Sequence, residues 1–555
     1  MVSPSSSPIV DTLTQPQSIA ALVLLATLAG VLHRKLTQRS ATLPPGPPPE
    51  SWIFGNKIPS AFAYRKFEEW TKIYGPIFYL RQGFTPIFVI GRYQAAVDIM
   101  EREGAALVDR PLSISAGETL SGGMRVVLTP AGERFKKMRK ALHAHLSPKV
   151  VQSYGPVLMR TAKQHILDIL DDPDIHQEHA KRYSASVVMA LAYGKAAGKH
   201  DDPDVIAVNR CLVRLGENLR PGLWQVDHYP ILRYVTITIT ITITPPKRIL
   251  PTQPARNSYL PGYLDELKAG HREELALFKK HLSVVKAQMS SSSSSSSSEA
   301  GTPIPDSFAK YLLERQPSLG LSDDETAYLA GALFGAGSDT TASAISVAVL
   351  AAACYPASAR RVQEELDRVV GRDRAPTTAD FESLPELQAF VMETFRWRPV
   401  TAGGFPHKAT KDLVWGEVVI PAGATVIGNV WAVGRDPAVF PDPEAFTPER
   451  WIRQEEGEGE GEGGVRLRED LKSYPFGFGR RVCPGMHIAT ASVMLNTALI
   501  QWAFTVRADP KHPIDELAFT ESANAHPVRF HVFFEPRAAE TRDGIRELLE
   551  EYGEA

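Results

Sequence analysis

Apolar and polar positions recur along this chain in two rhythms, and each predicts elements. From Tyr64 to Met100 the spacing predicts a helix over Tyr64–Tyr74, strands over Ile77–Arg81 and Pro86–Ile90, and a second helix. Residues 321–354 predict one long helix, opened by Ser322-Asp323-Asp324-Glu325. In that capping pattern serine and glutamate each satisfy a backbone amide left free at the helix start. Helical spacing also covers Asp265–His281, a basic stretch from Gly132 to Lys140, and Met486–Phe504, while Val418–Ile420 and Thr425–Val430 predict short strands. The first residues differ: no charge occurs between Asp11 and His33, and Ile19–Leu32 is almost wholly apolar. As an uncharged segment this is just long enough to span a bilayer.

Three stretches break the rhythm. Thr236–Thr244 alternates strictly between Thr and Ile, which taken alone reads as a strand, and it ends at Pro245-Pro246. Residues 236–260 therefore read as an insertion, since Arg233-Tyr234-Val235 would run directly into Pro261-Gly262-Tyr263-Leu264 and the helix from Asp265; a membrane-facing loop is the other reading. Ser290–Ser298 is a serine tract, expected to be flexible, and Glu455–Gly464 is a Glu-Gly repeat, expected to be a solvated loop. None of the three carries chemistry.

Composition narrows the class. The chain has 555 residues, is 43% hydrophobic and 22% charged, and has a net charge of −2, so it builds a large core and shows no nucleic-acid signal. Three cysteines (Cys211, Cys354, Cys483) with no CxxC pair indicate neither a disulfide framework nor a zinc site, which fits a reducing compartment. His33, Arg34, Lys35 and Arg39 follow the apolar N-terminal run, so an uncleaved anchor would leave the body in the cytosol. A cleaved signal peptide is the alternative, but no A-x-A-like site is obvious. Leu43-Pro44-Pro45-Gly46-Pro47-Pro48-Pro49 is a stiff spacer.

Candidate chemistry gathers at three places. Phe476-Gly477-Phe478-Gly479-Arg480-Arg481-Val482-Cys483-Pro484-Gly485 sets a lone cysteine between glycines and arginines just before a helix. In isolation such a cysteine is a buried structural thiol. The long helix holds Ala336-Gly337-Ser338-Asp339-Thr340-Thr341 at its centre, with Gly331, Gly335 and Gly337 clustered there. Interior glycine costs about 1 kcal/mol relative to alanine, so this centre reads either as a weak point that opens or as a small-residue packing face. Glu393 and Arg396 stand one helical turn apart, a favourable pair that is common on helix surfaces.

The spacing F-x-x-G-x-R-x-C-x-G resembles the haem-binding loop of the cytochromes P-450. With it come the family's A-G-x-D-T-T pattern, E-x-x-R at Glu393 and Arg396, and Phe446-Thr447-Pro448-Glu449-Arg450-Trp451, in family order and within a resemblance running from about Pro44 to Arg537. The resemblance implies a mainly α (α+β) fold: one large helical haem domain with a small β-sheet portion, preceded by an N-terminal transmembrane helix. Residues 1–43 would be the membrane anchor and its basic flank, 44–537 the catalytic domain, and 538–555 an acidic C-terminal tail. Cys483 would ligate the iron of haem b as an axial thiolate, which favours O–O cleavage. Phe476 would shield the sulfur, and Gly479 and Gly485 would let the backbone approach the porphyrin. Arg481, Arg139 and His407 would hold the propionates. Asp339 and Thr340 would relay protons, and Glu393, Arg396 and Arg450 would form a buried structural network. Thr401–Phe405 and a turn at Thr520–Asn524 would face the substrate, as would a loop bracketed by Asp109-Arg110-Pro111 and Ser121–Met124. Where the family usually has W-x-x-x-R, this chain has Phe135 before Arg139, and phenylalanine has no N–H to donate.

The implied activity is that of a monooxygenase acting on an apolar small molecule with O2. No G-x-G-x-x-G opens a βαβ unit, so electrons would come from NADPH through NADPH–cytochrome P-450 reductase, steered by Arg134, Lys136, Lys137 and Lys140. The overall pattern resembles basidiomycete secondary-metabolism enzymes anchored in the endoplasmic reticulum membrane. A haem-thiolate isomerase or dehydratase and a non-catalytic haem-binding protein share the cysteine loop. They would not require the acid–alcohol pair.

Overall fold

The computed structural model describes residues 43–195, 202–230, 233, 264–294, 306–454, 465–468, 470–471 and 474–553. The apolar N-terminal run, the Thr-Ile run with its proposed insertion at 236–260, and the Glu-Gly repeat at 455–464 lie outside them. Helices dominate: α1 (Ala63–Tyr74), α2 (Glu133–Leu146), α3 (Gly155–Asp171), α4 (His176–Tyr193), α5 (Pro203–Asn218), α6 (Asp265–Ser294), α7 (Phe308–Leu319), α8 (Asp323–Cys354), α9 (Pro356–Val369), α10 (Pro385–Trp397), α11 (Met486–Ala503) and α12 (Arg542–Leu549). A small sheet sits at one side, with β1 (Ile77–Gln82), β2 (Thr85–Ile90), β3 (His407–Lys408) and β6 (Thr425–Gly428) in the order β1-β2-β6-β3. Its β2–β6 pair is parallel and the other two pairs are antiparallel. The hairpin β4 (Leu413–Trp415) and β5 (Val418–Ile420) stands beside it.

The organising element is α8. Its capping box forms as the sequence predicts: the Glu325 amide donates to Ser322 Oγ at 3.1 Å and the Ser322 amide to Glu325 Oε2 at 2.9 Å. It is the one helix among the described residues long and apolar enough to cross a membrane, but 78% of its apolar window is buried in protein. That burial makes it a core helix, apolar all round because neighbours surround it. It packs along α4, and the glycine cluster explains how closely. A Cβ added at Gly331 would stand 2.2 Å from the Phe278 ring of α6, and one at Gly337 would stand 2.3 Å from Val188 Cγ1 of α4. The small residues therefore serve close helix approach, and α8 runs unbroken through its centre. Ser338 and Thr340 instead return their hydroxyls to the carbonyls of Phe334 (2.6 Å) and Ala336 (2.8 Å).

The described part of the serine tract, Ser290–Ser294, departs from expectation, and Ser295–Ser298 lie outside the described residues. Helix α6 continues through Ser294, and Ser290 Oγ and Ser291 Oγ donate to the carbonyls of Lys286 (3.0 Å) and Ala287 (3.1 Å). Both hydroxyls return to a carbonyl one turn back, the arrangement a serine adopts inside a helix. Near the C-terminus, α12 follows its own 3.6-residue rhythm and lays Ile545 and Leu549, both fully buried, onto the main core.

Candidate active site

The cysteine loop is two tight turns ahead of α11: short 3-10 segments at Tyr474–Phe476 and Gly479–Arg481, closed by the Cys483 amide donating to the Phe476 carbonyl at 2.9 Å. Gly479 has φ +54°, and its Cα faces Gly104 so closely that an added Cβ would stand 2.8 Å from the Gly104 Cα. Only glycine meets both conditions. Its amide is fixed by Glu101 Oε2 at 2.7 Å. Phe476 packs edge-on to Phe395, with ring centroids 5.0 Å apart.

Cys483 is solvent-accessible although protein surrounds it, so its thiol opens onto interior space. Burial pushes the thiol up, while an amide hydrogen bond from Gly485 and the nearby Arg139 charge pull it back. The other two cysteines are different. Burial pushes Cys211 and Cys354 up to about 12, aided by Glu274 and Glu516 respectively, which leaves both as inert thiols. On α8, Ala336 is exposed in a stretch whose neighbouring turns are buried. Such exposure on a core helix requires an open cavity beside it.

Positive charge converges near this loop. Arg481 donates to three backbone carbonyls, Val108 (2.7 Å), Val126 (3.3 Å) and Thr129 (2.8 Å), and lies 3.5 Å over the Phe135 ring. Phe135 thus fills the expected tryptophan position as a cation–π platform rather than a donor. Arg110, read from the sequence only as the edge of a substrate-facing loop, is buried and donates to the carbonyls of Val127, Phe405 and Pro406. Burial lowers Arg110 to about 9 and Arg481 to about 10. Arg139 is half-buried, with no hydrogen bond or ion pair among the described residues, and burial lowers it too. His407 is buried and neutral, drawn down to about 3 by burial with Arg110 adding to the effect, and its Nδ1 donates to the Leu107 carbonyl at 2.6 Å. Asp109 is the nearby carboxylate and is engaged by the Ala131 amide at 2.8 Å and Lys408 at 3.6 Å. Guanidiniums pinned by carbonyls, with so little neighbouring anion, fit a planar group carrying carboxylates, as haem does with its propionates.

Asp339 is met from the C-terminal turn. Asn524 Nδ2 donates to its Oδ2 at 2.9 Å, and His526 Nε2 lies 2.8 Å from its Oδ1. Burial raises the Asp339 carboxyl, but His526 and Asn524 together overcome it and hold the group below its ordinary value. The predicted turn at Thr520–Asn524 lies beside the site, and His526 just beyond it was not foreseen. No local pattern signals a contact between residues so far apart in sequence.

Glu393, Arg396 and Arg450 come together as one buried network. Arg396 grips Glu393 with Nε and Nη2 at 2.8 and 2.7 Å, and Arg450 Nε reaches it at 3.1 Å. Trp451 Nε1 and the Thr447 amide, both at 2.8 Å, complete the shell. A mostly apolar cavity is lined by Thr401–Pro406 and Thr520–Ala523, together with Phe62, Leu112, Leu128 and Leu219. Arg110 and Pro111 also line it, whereas Ser121–Met124 do not.

On the basic helix, Arg134 pairs with Glu325 at 2.8 Å and Lys136 with Glu133 at 2.7 Å. Lys137 and Lys140 are exposed, with no ion pair among the described residues.

The comparisons with known proteins agree on the architecture and family. A family model described as Cytochrome P450 matches residues 44–532. Cytochrome P450 monooxygenase 88 of Postia placenta is 49% identical over 521 residues, covering 94% of this chain and 96% of that protein. Cytochrome P450 monooxygenase aneD of Aspergillus aculeatus is 32% identical, covering 88% of this chain and 86% of its own length. Among solved structures, a zebra fish cytochrome P450 with abiraterone superposes with TM-score 0.62 at 22% identity, covering 85% of this chain and 99% of its own.

Proposed function

The chain belongs to the cytochrome P450 family and is one of its monooxygenases, and on that premise we propose that it oxidises an apolar small molecule, drawing electrons from NADPH through NADPH–cytochrome P-450 reductase. The observation that carries the reading is the accessible Cys483 thiol, acted on by the Gly485 amide and the nearby Arg139 charge. When bound, haem with a cysteine thiolate activates O2 with two electrons, placing one oxygen atom in substrate and releasing the other as water.

The chain's own groups have separable tasks in this proposal. Cys483 supplies the sulfur anion, tuned by the Gly485 amide. Phe476 and its partner Phe395 keep water from that side. Arg481, Arg110 and Arg139 neutralise the propionates; an anion there would also favour the charged form of His407. Thr340 and Asp339 hold and move protons on the cavity side of α8. The cavity lined by Phe62, Leu112, Leu128 and Leu219 admits an apolar substrate by desolvating it. Lys137 and Lys140 guide an acidic reductase surface.

An N-terminal helix would anchor the protein in the endoplasmic reticulum membrane with its body in the cytosol. Support comes from exposed Trp52, Phe54 and Phe84, side chains suited to a lipid interface. Kinship with fungal enzymes supports a role in secondary metabolism. The test is full-length protein in membranes with reductase, NADPH and a panel of apolar probes. Oxygen uptake requiring NADPH and reductase, with an oxygenated product, is expected. Uptake that ignores the reductase overturns the electron route, and oxidation confined to highly polar probes overturns the substrate class.

A further inference from the structure

One segment, residues 101–108, holds the cysteine loop from outside at two points. The Gly479 amide donates to Glu101 Oε2 at 2.7 Å, and Arg481 Nε donates to the Val108 carbonyl at 2.7 Å. Among the described residues, Glu101 is the side chain that accepts from a backbone amide of the 476–485 loop. The two backbones also touch, since a Cβ added at Gly104 would stand 2.8 Å from the Gly479 Cα. Glu101 itself sits in a π-helical turn, Val97–Arg102. Such turns are rare, occur mostly singly and are frequent at functional sites.

The acidic side chains of this turn differ in what they hold. Asp98 accepts from Arg102 at 2.8 Å and from Trp415 Nε1 of β4 at 3.2 Å, and Glu103 pairs with Lys411 at 3.1 Å. Backbone bonds brace the same segment: the Thr410 amide donates to the Ala106 carbonyl at 2.8 Å, and the Lys408 amide to the Asp109 carbonyl at 2.9 Å. Glu101 is half-buried and makes no ion pair among the described residues. Its carboxylate meets the loop amide instead, in a charge-assisted bond roughly twice as strong as a neutral one.

We propose that Glu101 is a positioning residue for the metal ligand: by fixing the Gly479 amide to the braced 98–109 segment, it sets where Cys483, four residues on, presents its sulfur. The proposal rests on the haem-thiolate reading of Cys483 given above. The bond from the Cys483 amide to the Phe476 carbonyl closes the loop on itself but does not locate it against the rest of the chain. Arg481 is the other polar tether, and its remaining bonds go to Val126 and Thr129 on a different stretch. Without the Gly479 bond the loop pivots about Arg481. The sulfur then leaves the metal more readily while the helices stay folded.

The test uses full-length, haem-loaded protein as its reduced carbon monoxide complex, in wild type, E101A, E101Q and E103A. Urea is held at a level that leaves the circular dichroism of every variant unchanged, and decay of the thiolate-type Soret band is followed in time. Glutamine keeps an acceptor oxygen for the Gly479 amide. E103A removes a contact of the same segment that does not reach the loop. E101A should decay about tenfold faster than wild type, the scale of one lost hydrogen bond to a charged group, while E101Q and E103A stay within about threefold of wild type. A wild-type rate in E101A overturns the proposal. E101Q decaying as fast as E101A also overturns it, because the acceptor would then be irrelevant. E103A decaying that fast does the same, because general loosening of the segment would explain the change. If E101A is not recovered with its cofactor, E101D takes its place, its carboxylate one methylene short of the amide; faster decay supports the proposal and a wild-type rate overturns it. If the wild-type complex itself lacks the thiolate-type band, the haem-thiolate reading has failed, and hydrogen exchange at the Gly479 amide of the purified protein decides the pairing. Faster exchange in E101A than in wild type upholds it, and equal exchange overturns it.

Discussion

Removing Glu393 is the sharpest test of how the helical body is held together behind the cysteine loop. The carboxylate is wholly buried and accepts five hydrogen bonds: two from Arg396, and one each from Arg450, Trp451 and the Thr447 amide. In Glu393→Ala, Arg396 keeps its bonds to the carbonyls of Gly434, Pro443 and Ala445, but its positive charge loses the buried anion. Breaking one side of a buried ion pair costs about 3–5 kcal/mol. The orphaned indole and amide push the loss toward the upper end. Glu393→Gln keeps the shape and one acceptor, and should lose about 1–3 kcal/mol, the cost of leaving buried donors unmatched. The assay is urea unfolding followed by circular dichroism at fixed protein and haem concentration, with the haem content of the purified protein measured alongside. The expected order of midpoints is wild type, then Gln, then Ala, with haem content falling in parallel. Turnover per bound haem should change little, because the network serves folding. An alanine variant within about 1 kcal/mol of wild type would refute the argument, since that is the range of a surface pair.

Cys483→Ser should leave the helical circular dichroism intact and abolish the thiolate-type Soret band of the reduced carbon monoxide complex; an unchanged band would exclude Cys483 as the ligand. Thr340→Ala, which removes the hydroxyl bonded to the Ala336 carbonyl together with one methyl group, should retain haem and divert reducing equivalents to peroxide, read as product per NADPH. Charge reversal at Lys137 and Lys140 should slow reduction by the reductase most at low salt, because screening acts over about 8–10 Å in physiological salt, and a salt-independent rate would remove the steering role. Asp339 titrates below its ordinary value in the folded chain, so its interactions stabilise the fold above the unfolded carboxyl value and are lost as pH falls through the folded one. Asp339→Asn should therefore shrink the acid-side loss of stability in melting curves taken at descending pH, and an unaltered acid limb would count against the ion pair.

Local order was legible where the signal is local. The capping residues of α8, the short apolar runs of β1 and β2, and the glycine-bounded cysteine turn each depend on neighbours within a few residues. Their boundaries in the structure fall within a residue or two of those read from the sequence. Long-range pairings were not legible. Nothing in Asp109-Arg110-Pro111 says that Arg110 will bond the carbonyls of Phe405 and Pro406, and nothing near His526 points to Asp339. The glycines of α8 show a third kind of limit. Propensity makes them weak points, but packing against Phe278 and Val188 decides the matter, because a Cβ at either Gly331 or Gly337 has nowhere to go. Composition likewise did not reveal that α6 runs on through Ser290–Ser294, the described part of the serine tract.

The carbonyl-pinned arginines also bear on how long the protein lasts in a cell. Arg110 and Arg481 are fixed by backbone acceptors, so the folded chain carries its mutual repulsion whether or not a counter-anion has arrived. A dianionic prosthetic group that binds only the folded chain relieves that repulsion and shifts the folding equilibrium by mass action, by about 2.7 kcal/mol at one hundred times its dissociation constant. Abundance of the protein would then follow the supply of the prosthetic group as well as transcription. Chains made in excess of that supply open more often, and degradation of open chains removes them. If these arginines hold the prosthetic group, the cell's porphyrin synthesis would thereby limit how much of this protein persists.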